Sequence, residues 1–244
     1  VRLTRVHPLP VVDVQWAGAI DQSTRDTLVE LYRPSTETYL RINLVLSVSG
    51  SAAGADGTSE SLTSAVDRTI LGVIRGLSDA VLVGAGSVRA EGYRVPKHST
   101  LAVVTGSGDL TGHRIGAHET GRVVVVGPES ARQLAARTMG DAGFIPVPDV
   151  DGRLDARALI MALHDSGYRS IVCEGGPGLA AQLLAAGEVD ELCLTTSPTL
   201  TATTLPAFGT HAFEVRPLSL TQLLLDEEGA LYARWTIEAP QATV

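Results

Sequence analysis

The strongest constraint in this chain is an alternation between residues 79 and 196, where short apolar runs are separated by helical or turn segments. The runs are Asp79-Ala80-Val81-Leu82-Val83, Leu101-Ala102-Val103-Val104-Thr105, Arg122-Val123-Val124-Val125-Val126 and Phe144-Ile145-Pro146-Val147. Ser170-Ile171-Val172-Cys173 and Glu191-Leu192-Cys193-Leu194-Thr195-Thr196 complete the set. Strands that are apolar at nearly every position lose both faces to the core, which requires helices above and below a largely parallel sheet. Aromatic residues are only 4% of the chain, so Val, Leu, Ile and Ala must build that core.

The ends follow other patterns. Tyr39 to Val48 reads as a strand, and Thr63 or Ser64 is placed to cap a helix running to about Arg75. Further helices are expected at Ser87–Glu91, from near Pro128, over Asp155–His164 and over Leu179–Ala186. Near the end, Leu218–Leu225 and Ala230–Ile237 flank the turn Asp226-Glu227-Glu228-Gly229, the pattern of an antiparallel hairpin. The expected fold is therefore α/β: a mixed, mostly parallel sheet with helices on both faces and a C-terminal antiparallel hairpin. Residues 1–38 read as an N-terminal lead-in. They hold one helix, Ser23 to Tyr32, with Leu28, Leu31 and Tyr32 on one face and Pro34 as its stop. Residues 39–244 read as one domain.

A formal net charge of −8 argues against a nucleic-acid surface, though not against a local phosphate site. There is no apolar run near the ~18 residues a membrane helix needs. The first residues lack a basic-then-apolar signal pattern. Cys173 and Cys193 sit inside apolar runs at a spacing that fits neither a redox pair nor zinc. A reducing cytoplasm is the expected compartment. The six histidines are scattered, and neither a Ser/His/Asp set nor a metal-ligand cluster is visible, so the catalytic residues stay open and no metal is expected.

Three strand ends carry chemistry. Val83-Gly84-Ala85-Gly86-Ser87 ends a strand in Gly-x-Gly, but Arg89 and Thr105 stand where a dinucleotide fingerprint needs glycine and an acid. A tight turn and a phosphate contact both remain open there. At Cys173-Glu174-Gly175-Gly176-Pro177-Gly178-Leu179, two glycines allow close backbone approach and Pro177 presets a helix start. Glu174 at the end of a buried strand can serve a ligand or cap a turn. Ser47-Val48-Ser49-Gly50 alone is a generic turn.

In this order the segments resemble a family. Asn43-Leu44-Val45-Leu46-Ser47-Val48-Ser49-Gly50, Val83-Gly84-Ala85-Gly86-Ser87-Val88-Arg89-Ala90-Glu91, Glu174-Gly175-Gly176-Pro177-Gly178-Leu179 and Val189-Asp190-Glu191-Leu192 resemble the pyrimidine reductases of riboflavin synthesis. More narrowly, they resemble the C-terminal reductase domain of the bifunctional deaminase/reductase, over roughly residues 39 to 237.

That resemblance implies a fold similar to dihydrofolate reductase, a homodimer, NADPH as reductant, and reduction of a 5-amino-6-ribosylamino-pyrimidine phosphate by hydride transfer. It implies cofactor contacts at Val45, Ser61, Val83, Gly84, Ala85, Ser87 and Glu91, with Thr105 and Gly106 toward the adenosine. Gly175, Gly176, Pro177, Gly178, Leu179 and Gln182 would cradle the diphosphate. Substrate contacts would fall on Asn43, Ser49, Ser59, Arg75, Val95 and Glu174, Arg75 being suited to a phosphate. The family's Asp-Gly is Ser49-Gly50 here, and its Gly-rich stretch after Ser197-Pro198 is replaced by residues 199–204. Two alternatives follow from those departures: a reductase of a pterin such as dihydrofolate, or a weakened NADP(H)-binding non-enzyme. A deaminase signature is absent. Partners are then a small heterocycle and a second copy, with neither nucleic acid nor membrane.

Overall fold

The computed structural model describes residues 1–150, 153–202 and 205–238. Strands β1 (Arg2–His7) and β2 (Val12–Gln15) precede α1 (Gln22–Tyr32), β3 (Tyr39–Ser47) and α2 (Ala65–Gly76). Next come β4 (Ala80–Gly84), α3 (Ala85–Glu91), β5 (Thr100–Val104), β6 (Val123–Gly127), α4 (Arg132–Met139) and β7 (Gly143–Pro146). A minimal pair, β8 (Asp149–Val150) and β9 (Arg153–Leu154), leads to α5 (Ala156–Asp165) and β10 (Ser170–Cys173). The chain finishes with α6 (Pro177–Ala186), β11 (Glu191–Ser197), β12 (Leu218–Asp226) and β13 (Leu231–Ile237).

One large sheet runs in the order β2-β1-β12-β13-β11-β3-β10-β4-β5-β6-β7. From β11 to β7 every neighbour is parallel, and from β2 to β11 every neighbour is antiparallel. This is the expected mixed sheet with its C-terminal hairpin. The lead-in is more than a lead-in, because β1 pairs with β12 and extends the same sheet. The helix expected near Pro128 begins as a single 3₁₀ turn, Glu129–Ala131, before α4.

Side chains alternate between two cores. Val81, Val83, Val103 and Val172 pack under α1 to α4, while Leu82, Ala102, Ile171 and Cys173 pack under α5 and α6. Both faces of the parallel strands are therefore covered, as their unbroken apolar runs require. α2 starts where expected: Ser64 caps it, its Oγ accepting the Asp67 N–H at 3.1 Å.

Part of the α1/α2 face is polar. Glu191 on β11 faces Arg41 on β3 in register, and both are almost fully buried. Arg234 of β13 donates to both Glu191 carboxylate oxygens, at 3.0 and 2.6 Å, and Tyr39 donates to Oε2 at 2.7 Å. The same two arginines satisfy carbonyls at the end of α1: Arg41 Nη1 donates to Tyr32 O at 2.9 Å, and Arg234 Nη1 donates to Leu31 O. A helix end left without partners would be costly to bury, so this cluster fixes α1 against the sheet.

Candidate active site

The parallel strands end along one edge of the sheet. Where β3, β10 and β4 finish, a cleft of about 590 Å³ opens between α2, α3 and the loop before α2. Crevices beyond the carboxyl ends of parallel strands are the usual ligand sites of such sheets.

The loop after β10 forms one wall. Glu174 N–H donates to Leu82 O at 2.9 Å, and Gly84 N–H donates to Gly175 O at 2.8 Å, so the two glycine-bearing turns are stitched together. The Gly175–Gly176 peptide is cis and Gly175 has φ +93°. A Cβ at Gly176 would lie 2.9 Å from Ser87 Oγ, so a larger residue there would push that hydroxyl aside. α6 begins at once with Pro177 in its first turn and has no side-chain cap, leaving its N-terminal end to backbone donors.

The opposite wall is α2, whose Asp67, Leu71 and Arg75 share a face at spacings of four. Arg75 Nε and Nη2 each donate to Glu174 at 2.6 Å, and Tyr93 O–H donates to Glu174 Oε2. The Arg75 guanidinium also lies 5.5 Å from the Tyr93 ring centroid. Burial raises the Tyr93 phenol well above its ordinary range, and the Glu174 charge raises it further. It stays a donor.

Three further acids, Glu60, Asp67 and Glu91, line the cleft. Burial raises the Asp67 carboxyl, against hydrogen bonds from Thr63 and from Thr195, the latter at 2.7 Å. Glu91 is exposed as a residue, but desolvation of its carboxyl against the cleft wall raises it, with Glu174, Glu60 and Asp56 adding repulsion, against a hydrogen bond from Ser59 Oγ at 3.1 Å. Glu91 is one helical turn after Ser87 on α3, on the same face.

Of the expected substrate contacts, the cleft brings together Asn43, Ser59, Arg75 and Glu174. Of the expected cofactor contacts it brings Val45, Ser87, Glu91, Gly176 and Pro177. The rest are elsewhere. Val83, Ala85 and Val95 are buried in the core, because alternation along their segments turns them inward. Gly84 and Gly175 are committed to the backbone bond above. Ser61 donates to Asp56 at 2.7 Å, and Thr105 is buried with its Oγ1 accepting the Gly108 N–H at 3.0 Å. Gly106 is exposed beyond β5, while Gly178, Leu179 and Gln182 lie half-buried along the first turns of α6. Ser49 is exposed and donates to Thr201 O at 2.9 Å, outside the cleft lining. In the altered stretch 199–204, Thr203 and Thr204 lie outside the described residues.

Sequence reasoning missed Asp67, Tyr93 and Arg94, all of which line the cleft. The clue for Tyr93 was its rarity: it is one of five tyrosines and directly follows the Glu91-Gly92 helix end. Among the described residues, His, Cys, Asp and Glu form no group that could hold a metal, and no helix is long and apolar enough to cross a membrane.

A model described as the RibD C-terminal domain matches residues 38–231. The riboflavin biosynthesis protein RibD of Escherichia coli is 30% identical over 178 residues, covering 66% of this chain and 48% of that protein. The chain thus spans about half the length of that curated relative. A pyrimidine reductase-like protein from Corynebacterium diphtheriae shares the fold with a TM-score of 0.71 at 22% identity, covering 87% of this chain and 99% of that one. A deaminase/reductase from Thermotoga maritima gives 0.67 at 18% identity, covering 83% and 57%.

Proposed function

The chain belongs to the RibD C-terminal domain family, and from that membership we propose that it is an NADPH-dependent pyrimidine reductase of riboflavin biosynthesis. Its substrate would be a 5-amino-6-ribosylamino-pyrimidine phosphate, reduced to the ribitylamino form. The observation that carries this is the glycine wall of the cleft. A Cβ at Gly176 would crowd the Ser87 hydroxyl, Gly175 holds φ +93°, and the uncapped start of α6 is the kind of site that takes a diphosphate.

NADPH, when bound there, supplies a hydride. The chain's own residues orient, exclude water and handle the proton. Gly176 and the first turn of α6 would hold the diphosphate, with Ser87 and Val45 facing the cofactor. Glu91 is the proton donor of this reading. Partial desolvation in the cleft and the neighbouring carboxylates of Glu174, Glu60 and Asp56 favour its proton-carrying form. Glu91 would give that proton to the sugar ring oxygen, whose bond to C1′ would open as a bound NADPH supplied hydride to C1′.

The non-enzyme reading rested on Ser49 and on the altered stretch 199–204; Ser49 stands outside the cleft lining, and the acid Glu91 is part of it. The same proposal carries a cytoplasmic location, supported by the free, buried thiols of Cys173 and Cys193. It also carries a homodimer, to be checked by sedimentation. The deciding experiment is NADPH oxidation with the phosphoribosylamino-pyrimidine and dihydrofolate side by side. Turnover of the first alone is expected. Turnover of dihydrofolate alone would replace the substrate assignment.

A further inference from the structure

We propose that Asp67 selects the ring this cleft accepts, favouring a 2-amino-4-oxo-pyrimidine over the corresponding 2,4-dione. The inference deepens the reductase reading and rests on it for a pyrimidine in the cleft.

Asp67 stands in the first turn of α2, lines the cleft and is only 5% exposed. Thr195 Oγ1 donates to its Oδ1 at 2.7 Å, and Thr63 Oγ1 donates to its Oδ2. Among the described residues it forms no ion pair, and the adjacent Arg68 turns to Glu60 instead. Of the other cleft acids, Glu174 is paired with Arg75, and Glu91 is exposed as a residue. Asp67 is thus a buried carboxyl of the cleft with hydroxyl partners alone.

A carboxylate has about four acceptor sites. The threonines occupy one on each oxygen, which leaves each oxygen able to accept again. Burial raises this carboxyl, but both hydroxyls and the amino end of α2 favour its charged form. A charged carboxylate only accepts, so it suits two parallel N–H donors on one ring edge.

Strand order decides which edge it meets. Thr195 lies on β11 in register with Val45 of β3, whereas Glu91 follows β4 through α3. The order β11-β3-β10-β4 sets Thr195 and the end of β4 at opposite ends of the cleft, ~14 Å apart at the usual strand spacing. The sugar hangs on the C6 amine, and its ring oxygen takes the Glu91 proton. The far edge, N3 with C2, is then left to Asp67. In a 2-amino-4-oxo ring that edge carries N3–H and the 2-amino group, both donors. In the dione N3–H is flanked by carbonyls, so one Asp67 oxygen would meet a carbonyl oxygen and lose its partner.

The test titrates the full chain, without NADPH, with two 6-ribosylamino-pyrimidine 5′-phosphates, one carrying the 2,5-diamino-4-oxo ring and the other the 5-amino-2,4-dioxo ring. The 2-amino compound is expected to bind ~10-fold tighter or more, as a charge-assisted contact implies. Asp67→Asn, whose amide donates as well as accepts, should cancel or reverse that preference, and Glu60→Gln at the rim should keep it. The proposal is overturned if the unaltered chain binds the dione as tightly or more tightly, if Asp67→Asn keeps the preference, or if Glu60→Gln abolishes it. The first comparison needs no variant and decides the matter even where Asp67→Asn does not fold. NADPH oxidation is then measured with both compounds. A chain that prefers the 2-amino ring through Asp67 yet oxidises no NADPH would lose the reductase reading and keep this one. A chain that oxidises NADPH with the dione alone would keep the reductase reading and lose this one.

Discussion

Arg75 on α2 and Glu174 at the end of β10, 99 residues apart, meet in a two-pronged ion pair with both donor–acceptor distances at 2.6 Å. The pair ties α2 to the glycine wall of the cleft. Glu174 is nearly buried while Arg75 keeps 24% of its side-chain exposure, so solvent screens the attraction only in part. Glu174→Gln should cost ~2 kcal/mol of stability, the low side of what breaking a buried pair costs. A double-mutant cycle with Arg75→Gln in urea should return a coupling of about 1–2 kcal/mol. Strict additivity would mean that the two residues do not hold each other in solution.

The glycine wall makes a steric prediction. Gly176→Ala places a methyl against Ser87 Oγ, and NADPH affinity should fall ~10-fold or more with the fold retained. Removing that hydroxyl should relieve the contact. Gly176→Ala combined with Ser87→Ala is therefore expected to bind NADPH better than Gly176→Ala alone, as read by fluorescence titration. Equal affinities would show that the close approach is not what requires glycine.

Burial alone would raise the Glu191 carboxyl, but Arg234, Arg41 and the Cys193 thiol together outweigh it and hold the carboxyl below its usual range. A carboxyl whose pKa is lower folded than unfolded contributes stability above its unfolded value, about 4.3, and loses it as pH falls through the folded value. Glu191→Gln should therefore destabilise the protein by ~3–5 kcal/mol at pH 7, by leaving Arg41 and Arg234 buried without a counter-charge. The penalty should shrink in acid. Melting temperatures from pH 7 down to pH 3 check this, and a penalty independent of pH would contradict the assignment.

Much of the fold was legible because burial on both faces writes itself into consecutive positions. Val123-Val124-Val125-Val126 can be little other than a central strand, and β6 is one. The pairing of β1 with β12 was not legible, since residues more than 200 positions apart meet at an edge where either strand alone looks like loop or hairpin. In the site, the glycines were readable because a backbone demand restricts the residue type. The Arg75–Glu174 pair and the inward turn of Tyr93 were not: a local window sees each as an isolated polar residue. Arg75 was expected to face a phosphate, and in the cleft its Nε and Nη2 are bonded to Glu174.

Glu91 makes a prediction in pH. Desolvation raises its pKa, and a proton donor acts only in its protonated form, so kcat should fall as pH rises through that raised value. Glu91→Gln should reduce kcat ~100-fold or more, flatten that limb of the profile and leave NADPH affinity within about twofold. Ser59→Ala removes the single hydroxyl that favours the ionised form and should shift the limb upward. A Glu91→Gln variant with an unaltered pH profile would assign the proton to another group, such as Asp67, whose carboxyl burial also raises.

Ser49 stands where the family resemblance implies an Asp-Gly, and the structure alters what that departure means. Its hydroxyl is used locally, shared with Ser47 Oγ at 2.9 Å and donated to Thr201 O at 2.9 Å, in a loop further tied by Val48 N–H to Thr199 O. An aspartate there would be exposed, would forfeit the donor to Thr201, and would reach no group of the cleft lining. Ser49→Asp should then shift stability by no more than ~0.5 kcal/mol, as surface substitutions usually do. It should leave kcat/KM for the pyrimidine within about twofold. A tenfold rise would mean that the Ser47–Ser51 turn swings into the cleft when substrate binds, and that the missing carboxylate once stood beside the ring. A tenfold fall with unchanged NADPH affinity would carry the same geometry with the opposite chemistry, a site fitted to serine and spoiled by an unpaired charge. The static loop, closed on Thr199 and Thr201, points to neither.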